Sequence, residues 1–206
     1  MQIFQSDHFR GDMSKNRQLV VFARAPRLGN GKTRLAHDIG AGAAHRFYEA
    51  CLGQLLQNSA GGPWELLVAV ASKDDRSHPI FQDHPLMTQI QGDLGQRMKN
   101  VLINTHQHHT LVVGSDIPEL RPHHLNTAFD ALDAHDLVFG PATDGGFWSI
   151  GCRQGLELPE TFLQNVRWST SFALEDSLAS IPKNLTVALV DTLSDVDDAV
   201  NYYENT

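Results

Sequence analysis

LVVFARAPRLGNGKTRL, residues 19–35, decides how this chain reads. Its opening run, LVVFA, is continuous, apolar and β-prone, which predicts a buried strand over residues 18–23. The strand feeds a loop of small residues, Gly29 and Gly31 among them, that also carries Arg24, Arg27, Lys32 and Arg34; a helix-like segment follows. The whole chain is acidic, with a formal net charge of -8 at pH 7, so this local concentration of cations needs a local reason. A strand, a small-residue loop and a helix together hold phosphate well: backbone N–H groups and the positive helix end face the anion, and a lysine adds mobile charge. The segment therefore reads as a phosphate grip, with Arg24, Gly29, Gly31, Lys32 and Arg34 as nucleotide- or phosphate-binding candidates.

Outward from this stretch, apolar runs alternate with helical patterns. Residues 33–58 look helical, with Gly40 and Gly42 as a point of division. Strands are expected at 65–71, 87–91, 111–114, 137–140 and 147–151, with an extended stretch at 185–190. Helices are expected at 94–104, from Pro122 onward, at 171–180 and at 197–203, proline being well suited to a first helical position. Strands separated by helices imply a mostly parallel, Rossmann-like sheet covered on both faces, a three-layer α/β/α sandwich. Ligands of such sheets sit beyond the carboxyl ends of the strands. The distinctive polar residues fall there: Arg24 to Lys32, Gly92 and Asp93, Ser115 and Asp116, and residues 141–146.

At 206 residues and 41% hydrophobic, the chain fits one domain, expected over residues 18–206. Residues 1–17 are polar and aperiodic and are expected to form a flexible extension. A pI of about 5.7 argues against nucleic acid or an anionic membrane as partner. No apolar run approaches the roughly 20 residues that span a bilayer, which excludes membrane insertion through a helix. The N-terminus lacks the apolar core of a signal peptide. Cys51 and Cys152 do not make a disulfide framework, so a cytoplasmic location is expected.

Asp116, in VVGSDIPEL, directly follows a predicted strand. A carboxylate there can hold Mg²⁺, which takes one or two carboxylates plus substrate phosphates; the plainer alternative is a turn or helix cap. In GPATDGGFWSIG, residues 140–151, Gly145 and Gly146 allow a sharp turn or a close approach to ligand, and Asp144 offers an acceptor or base. A Gly-Gly hairpin between two strands, with Asp144 as turn chemistry, explains the same residues. Residues 191–198, DTLSDVDD, hold four aspartates; Asp197 is the candidate second metal carboxylate, against the usual role of acidic residues at a helix start. Trp168 is a candidate for stacking on a ligand, whereas Trp148 reads as core. Gly31-Lys32-Thr33 is not a Walker loop, because Pro26 stands where that motif needs glycine. The histidines at 106, 108, 109, 123 and 124 fit no strong zinc spacing.

Taken together, these segments resemble the nucleotide-diphospho-sugar transferase superfamily, with its GT-A fold. More narrowly, the chain is similar to a poorly characterised bacterial family of GT-A transferases. The resemblance rests on KTRL at 32–35, GDLG at 92–95, GSDIP at 114–118 and PATDGGF at 141–147, supported by RWST at 167–170 and Asp195-Val196-Asp197. It implies a nucleotide bound over the carboxyl edge of the sheet, with Lys32 and Arg34 on phosphates and Gly92 and Asp93 at the nucleotide. It also implies Asp116 and Asp197 on Mg²⁺ or Mn²⁺, and Asp144, Gly145, Gly146 and Trp168 at the acceptor. Lys32, Asp116 and Asp144 would carry catalysis. The expected activity is metal-dependent transfer from a nucleotide sugar or a nucleoside triphosphate to a small acceptor. The alternative is a non-catalytic nucleotide-sensing module on the same fold.

Overall fold

The computed structural model describes residues 16–29 and 33–194. The expected N-terminal extension up to residue 15, Lys32 with Gly31, and the expected closing helix with Asp195 and Asp197 lie outside the described residues.

LVVFA lies in β1 (Arg17–Ala23), and its side chains explain why the run is unbroken by polar residues. Leu19, Val21 and Ala23 join one core cluster and Val20 joins the other, so alternate residues enter opposite layers. A strand buried on both faces has no solvated side to populate with polar residues. β1 begins one residue before the apolar run suggests. Arg17 is 5% exposed, its guanidinium bonded to Asp130 at 2.8 Å and Asp133 at 3.2 Å and lying 5.4 Å over the Phe129 ring.

After β1 come α1 (Thr33–Ile39) and α2 (Ala41–Ser59), separated at Gly40, then β2 (Glu65–Val70) and the short β3 (Leu86–Thr88). Next are α3 (Leu94–Asn104), β4 (His109–Val113) and α4 (Pro122–Leu132), which starts at the expected proline. A hairpin of β5 (Leu137–Pro141) and β6 (Phe147–Cys152), α5 (Ala173–Ala179) and β7 (Val187–Leu189) complete the described chain. The seven-stranded sheet runs β3-β2-β1-β4-β6-β5-β7. Every pairing is parallel except those of β6, which is antiparallel to both β4 and β5.

Leu52, Leu55 and Leu56 of α2 and Leu125, Phe129 and Leu132 of α4 cover one face. Met98, Val101 and Leu102 of α3, with Phe162, Leu163 and Leu174, cover the other. The expected α/β/α sandwich with a mostly parallel sheet is the observed architecture. Because β6 is reversed, its first residue, Phe147, arrives at the same edge as the carboxyl ends of β1, β2 and β4. Among the described residues, no helix is long and apolar enough to cross a membrane.

Candidate functional site

A cleft of about 740 Å³ opens along that edge, within the range of roughly 300–1,000 Å³ usual for small-molecule sites. Arg24 enters from the end of β1, Ala71 from β2, Gln89 from β3, and Ser115 and Asp116 from β4. Helices supply Arg34, Tyr48, Asp93 and Arg97, and the far wall carries Phe147 and Trp168. Thus Arg24, Arg34, Asp93, Asp116 and Trp168, chosen from sequence, meet in one cavity.

Two loops distant in sequence are tied by one hydroxyl. Tyr48 of α2 accepts from the Arg24 N–H at 3.1 Å, donates to the Arg24 carbonyl at 3.1 Å, and shares a 3.1 Å hydrogen bond with the Ser115 hydroxyl. One donor and two lone pairs serve all three contacts when Ser115 donates. Sequence reasoning passed over Tyr48, because its partners lie 24 and 67 residues away and nothing local marks it.

Arg97 was also missed. It lies on the first turns of α3, four residues after Asp93, and both line the cleft. Its guanidinium donates to the Gln89 side chain and the Asp93 carbonyl, each at 3.2 Å. Burial lowers its pKa from the usual arginine value, and the positive charge of Arg24 lowers it further. Two like charges held on one cavity wall repel each other, and an anion between them relieves that repulsion. Spacing contained the clue: a residue four positions beyond the cap shares its helix face.

Asp93 is spent differently from expectation. It is the N-cap of α3, accepting the Gln96 N–H at 2.8 Å while Gln96 accepts the Asp93 N–H at 3.0 Å, a closed capping box. Gly92, just before the cap, is not among the cleft-lining residues. Gly95, in the same GDLG segment, has a packing role. A Cβ there would sit 2.7 Å from the Trp168 ring and 2.8 Å from the Leu163 carbonyl oxygen.

Asp144, Gly145 and Gly146 form the turn of the β5–β6 hairpin. The Asp144 carboxylate accepts the Gly146 N–H at 2.7 Å, and Gly145, at φ +88°, approaches the Ser171 backbone too closely for any side chain. This is the hairpin alternative raised from sequence, and Asp144 and Gly145 do not line the cleft, while Gly146 borders a smaller pocket beside it. Trp148 is 2% exposed and donates to the Asp191 carbonyl at 2.8 Å. Cys152 is buried, which pushes its thiol up to about 12.

Trp168 is held by its neighbours. Arg167 pairs with Asp176 of α5 through contacts of 2.7 and 2.8 Å, and its guanidinium lies 3.9 Å over the Phe172 ring. The side-chain hydrogen bonds from Arg167, then its backbone N–H, hold the Asp176 carboxyl down to about 2. Leu163, Asn165 and Ser169 adopt φ of 59–60°, costly for residues with a Cβ. The segment is braced against that cost by Lys99, which donates at 2.7 Å to the carbonyls of Pro159 and Glu160.

For a divalent cation, the donor chemistry at the β4 end fits. Asp116 supplies carboxylate oxygen, and Gly114 leaves room beside it, a Cβ there falling 3.3 Å from Oδ1. No group of three His, Cys, Asp or Glu side chains converges among the described residues. Hard cations such as Mg²⁺ and Mn²⁺ take one or two carboxylates and are completed by substrate phosphates.

The fold and the cleft together define a nucleotide-diphospho-sugar transferase-like protein of the GT-A type. Among solved structures, it is similar to a candidate nucleotide-diphospho-sugar transferase from Desulfovibrio desulfuricans G20, with 26% identity and a TM-score of 0.76 over 88% of this chain and 82% of that one. More distant likenesses show the fold alone. Rv0371c of Mycobacterium tuberculosis H37Rv in complex with manganese matches at 15% identity and TM-score 0.53, over 92% of this chain and 97% of that one. The 4-diphosphocytidyl-2C-methyl-D-erythritol synthase of Anaerococcus prevotii DSM 20548 matches at 9% identity and TM-score 0.55, over 93% and 97%. No curated protein matches the chain. Residues 54–170 match the model of DUF2064, described as an uncharacterised protein conserved in bacteria, and the chain belongs to that family.

Proposed function

We propose that this chain is a divalent-metal-dependent transferase that takes a nucleotide sugar or a nucleoside triphosphate as donor and passes a group to a small acceptor. The observation that carries the reading is the meeting of three arginines, Arg24, Arg34 and Arg97, with the Asp116 carboxylate in one cleft at the carboxyl edge of the sheet. A diphosphate is held well by cationic side chains together with a divalent metal; the arginines of this cavity would supply the first and Asp116 would hold the second. The likeness to the candidate nucleotide-diphospho-sugar transferase of Desulfovibrio desulfuricans G20 supports the same class.

In this reading, Arg34 and Arg97, with Lys32 from the loop, hold donor phosphates through charge-assisted hydrogen bonds. Asp116 would hold Mg²⁺ or Mn²⁺, which would supply positive charge to offset that developing on a departing pyrophosphate or nucleoside diphosphate. Tyr48 keeps the Arg24 and Ser115 loops at fixed separation, so the donor meets a preorganised cleft. Trp168 forms the wall on the acceptor side. Asp197 is proposed as a second carboxylate toward the metal. Donor and acceptor are proposed to share a single domain spanning residues 18–206.

A panel of nucleoside triphosphates and nucleotide sugars, incubated with Mn²⁺ and mixed small acceptors, tests the proposal. Pyrophosphate release identifies nucleotidyl transfer, and acceptor-dependent release of a nucleoside diphosphate identifies glycosyl transfer. Absence of binding by every nucleotide in the panel would overturn both.

A further inference from the structure

Next to the cleft, and sharing part of its lining, lies a second pocket of about 170 Å³. It shares Phe22, Leu94, Gly114, Phe147, Trp168 and Ser169 with the main cavity, so the two are continuous. Its inner wall is made by Met98 of α3, Val112 of β4, Ile150 of β6 and Ala173 of α5. Among the described residues no charged side chain lines it, and Ser149 and Ser169 are its hydroxyl-bearing side chains. Arg24, Arg34 and Arg97 line the main cleft and not this pocket, whose wall is built from Phe22 of β1, Leu94 and Met98 of α3, and residues of β4, β6 and α5.

We propose that this pocket is the acceptor subsite and that the acceptor carries a compact apolar group, the size of a six-membered carbon ring or a short branched alkyl chain, which fills it. The proposal rests on the transferase reading above and adds the chemistry of the acceptor. A sugar ring or nucleobase edge placed here would surrender hydrogen bonds to water and regain few from leucine, methionine, valine and isoleucine. A hydrocarbon group loses nothing on entry and gains the burial. The volume is close to that of a roughly 150 Å³ engineered cavity that accepts benzene. A group seated here would present its attached nucleophile toward Gly114 and Asp116, at the reacting end of the cleft.

The pocket's walls are fixed by close packing against the core cluster on this face of the sheet. Gly95 is the one residue that lets Trp168 lie against α3, since any Cβ there meets the ring at 2.7 Å. Phe147 meets Trp168 edge-on at 6.2 Å and Phe139 edge-on at 5.1 Å, fixing two aromatic walls in mutual register. Ser169, at the mouth, holds φ at 60°. Strain of this kind clusters at ligand sites.

Benzyl alcohol serves as the probe. Its affinity would be measured by ligand-observed NMR on the whole chain, with and without Mn²⁺ and UDP or CTP, and its position by crystal soaking. The expected result is density bounded by Met98, Phe147 and Ala173, with binding retained when nucleotide is present. Ala173→Leu and, independently, Met98→Phe fill the space and should each weaken the probe at least tenfold while the melting transition stays cooperative. No binding by the wild-type chain, or undiminished binding by both filled variants, overturns the proposal. Probe binding in a chain that takes no nucleotide overturns the acceptor role in particular, because the transferase reading fails while the apolar site stands. Nucleotide binding without probe binding removes the subsite and leaves the transferase reading intact.

Discussion

Tyr48→Phe removes one oxygen and leaves the ring in place, so its effect reports on the tie between the Arg24 and Ser115 loops. The hydroxyl has three contacts of 3.1 Å. Arg24 is exposed, and water can replace its backbone contacts at small cost. Ser115 is 8% exposed, so its hydroxyl is harder to re-satisfy. A net hydrogen bond contributes about 0.5–1.5 kcal/mol and a stranded buried partner costs about 1–3 kcal/mol, which places the loss near 2 kcal/mol. For a chain of this length that lowers Tm by roughly 4–8 °C. The untied loops must then be ordered by the nucleotide, which should weaken it by about tenfold, or about 1.4 kcal/mol. Differential scanning calorimetry reads the first effect and titration calorimetry with the best-bound nucleotide the second. A variant that melts with the wild type and binds within twofold of it would refute the idea that Tyr48 organises the site.

Gly95→Ala sets two effects against each other. Alanine in a helix gains at most about 1 kcal/mol over glycine, but the new Cβ meets a backbone oxygen at 2.8 Å and an indole at 2.7 Å. Overpacking of about 1–3 kcal/mol should win, so chemical denaturation should show a destabilised chain, with Trp168 fluorescence shifted even before unfolding. The Arg167–Asp176 pair predicts an acid response. The Asp176 carboxyl is held down to about 2, below the ordinary aspartate range, so its contribution is complete above about pH 4 and disappears as pH falls toward 2. Asp136, also lowered, by the Thr186 backbone N–H first and Arg153 second, acts in the same direction. Asp176→Asn should flatten the acid limb of a stability–pH curve; an unchanged limb would show that the pair contributes nothing. Cys152, with its thiol pushed up to about 12, should resist alkylation at pH 8 in the folded chain and react once denatured, as mass spectrometry of labelled peptides would show.

Some of this was readable from residues alone because it follows local rules. LVVFA has no polar position, and a strand without a wet side belongs between two helical layers. The 94–104 helix and the start at Pro122 follow from a cap, a period and a proline, all contained in a few consecutive residues. The carboxyl-edge rule picked out Arg24, Asp93, Ser115 and Asp116 without any knowledge of strand order, and all four line one cavity. What was not readable depends on distant partners. Tyr48 gains meaning only when β1 and β4 lie side by side. Asp144 was open between turn and acceptor chemistry, and the antiparallel pairing of β5 with β6 is what turns its carboxylate onto Gly146. In GDLG, the aspartate both borders the cleft and caps a helix, and the second glycine admits an indole, a packing role that no local pattern announces.

The reading as a whole depends on Asp116 lending a metal to a diphosphate that the arginines already hold. Titration calorimetry with UDP and CTP, in Mn²⁺ and again in EDTA, on the wild type and Asp116→Asn, measures that coupling directly. The account predicts that Mn²⁺ tightens nucleotide binding to the wild type by roughly 5–150-fold and that the variant keeps its EDTA-level affinity but loses the metal increment. An increment of equal size in Asp116→Asn would contradict it.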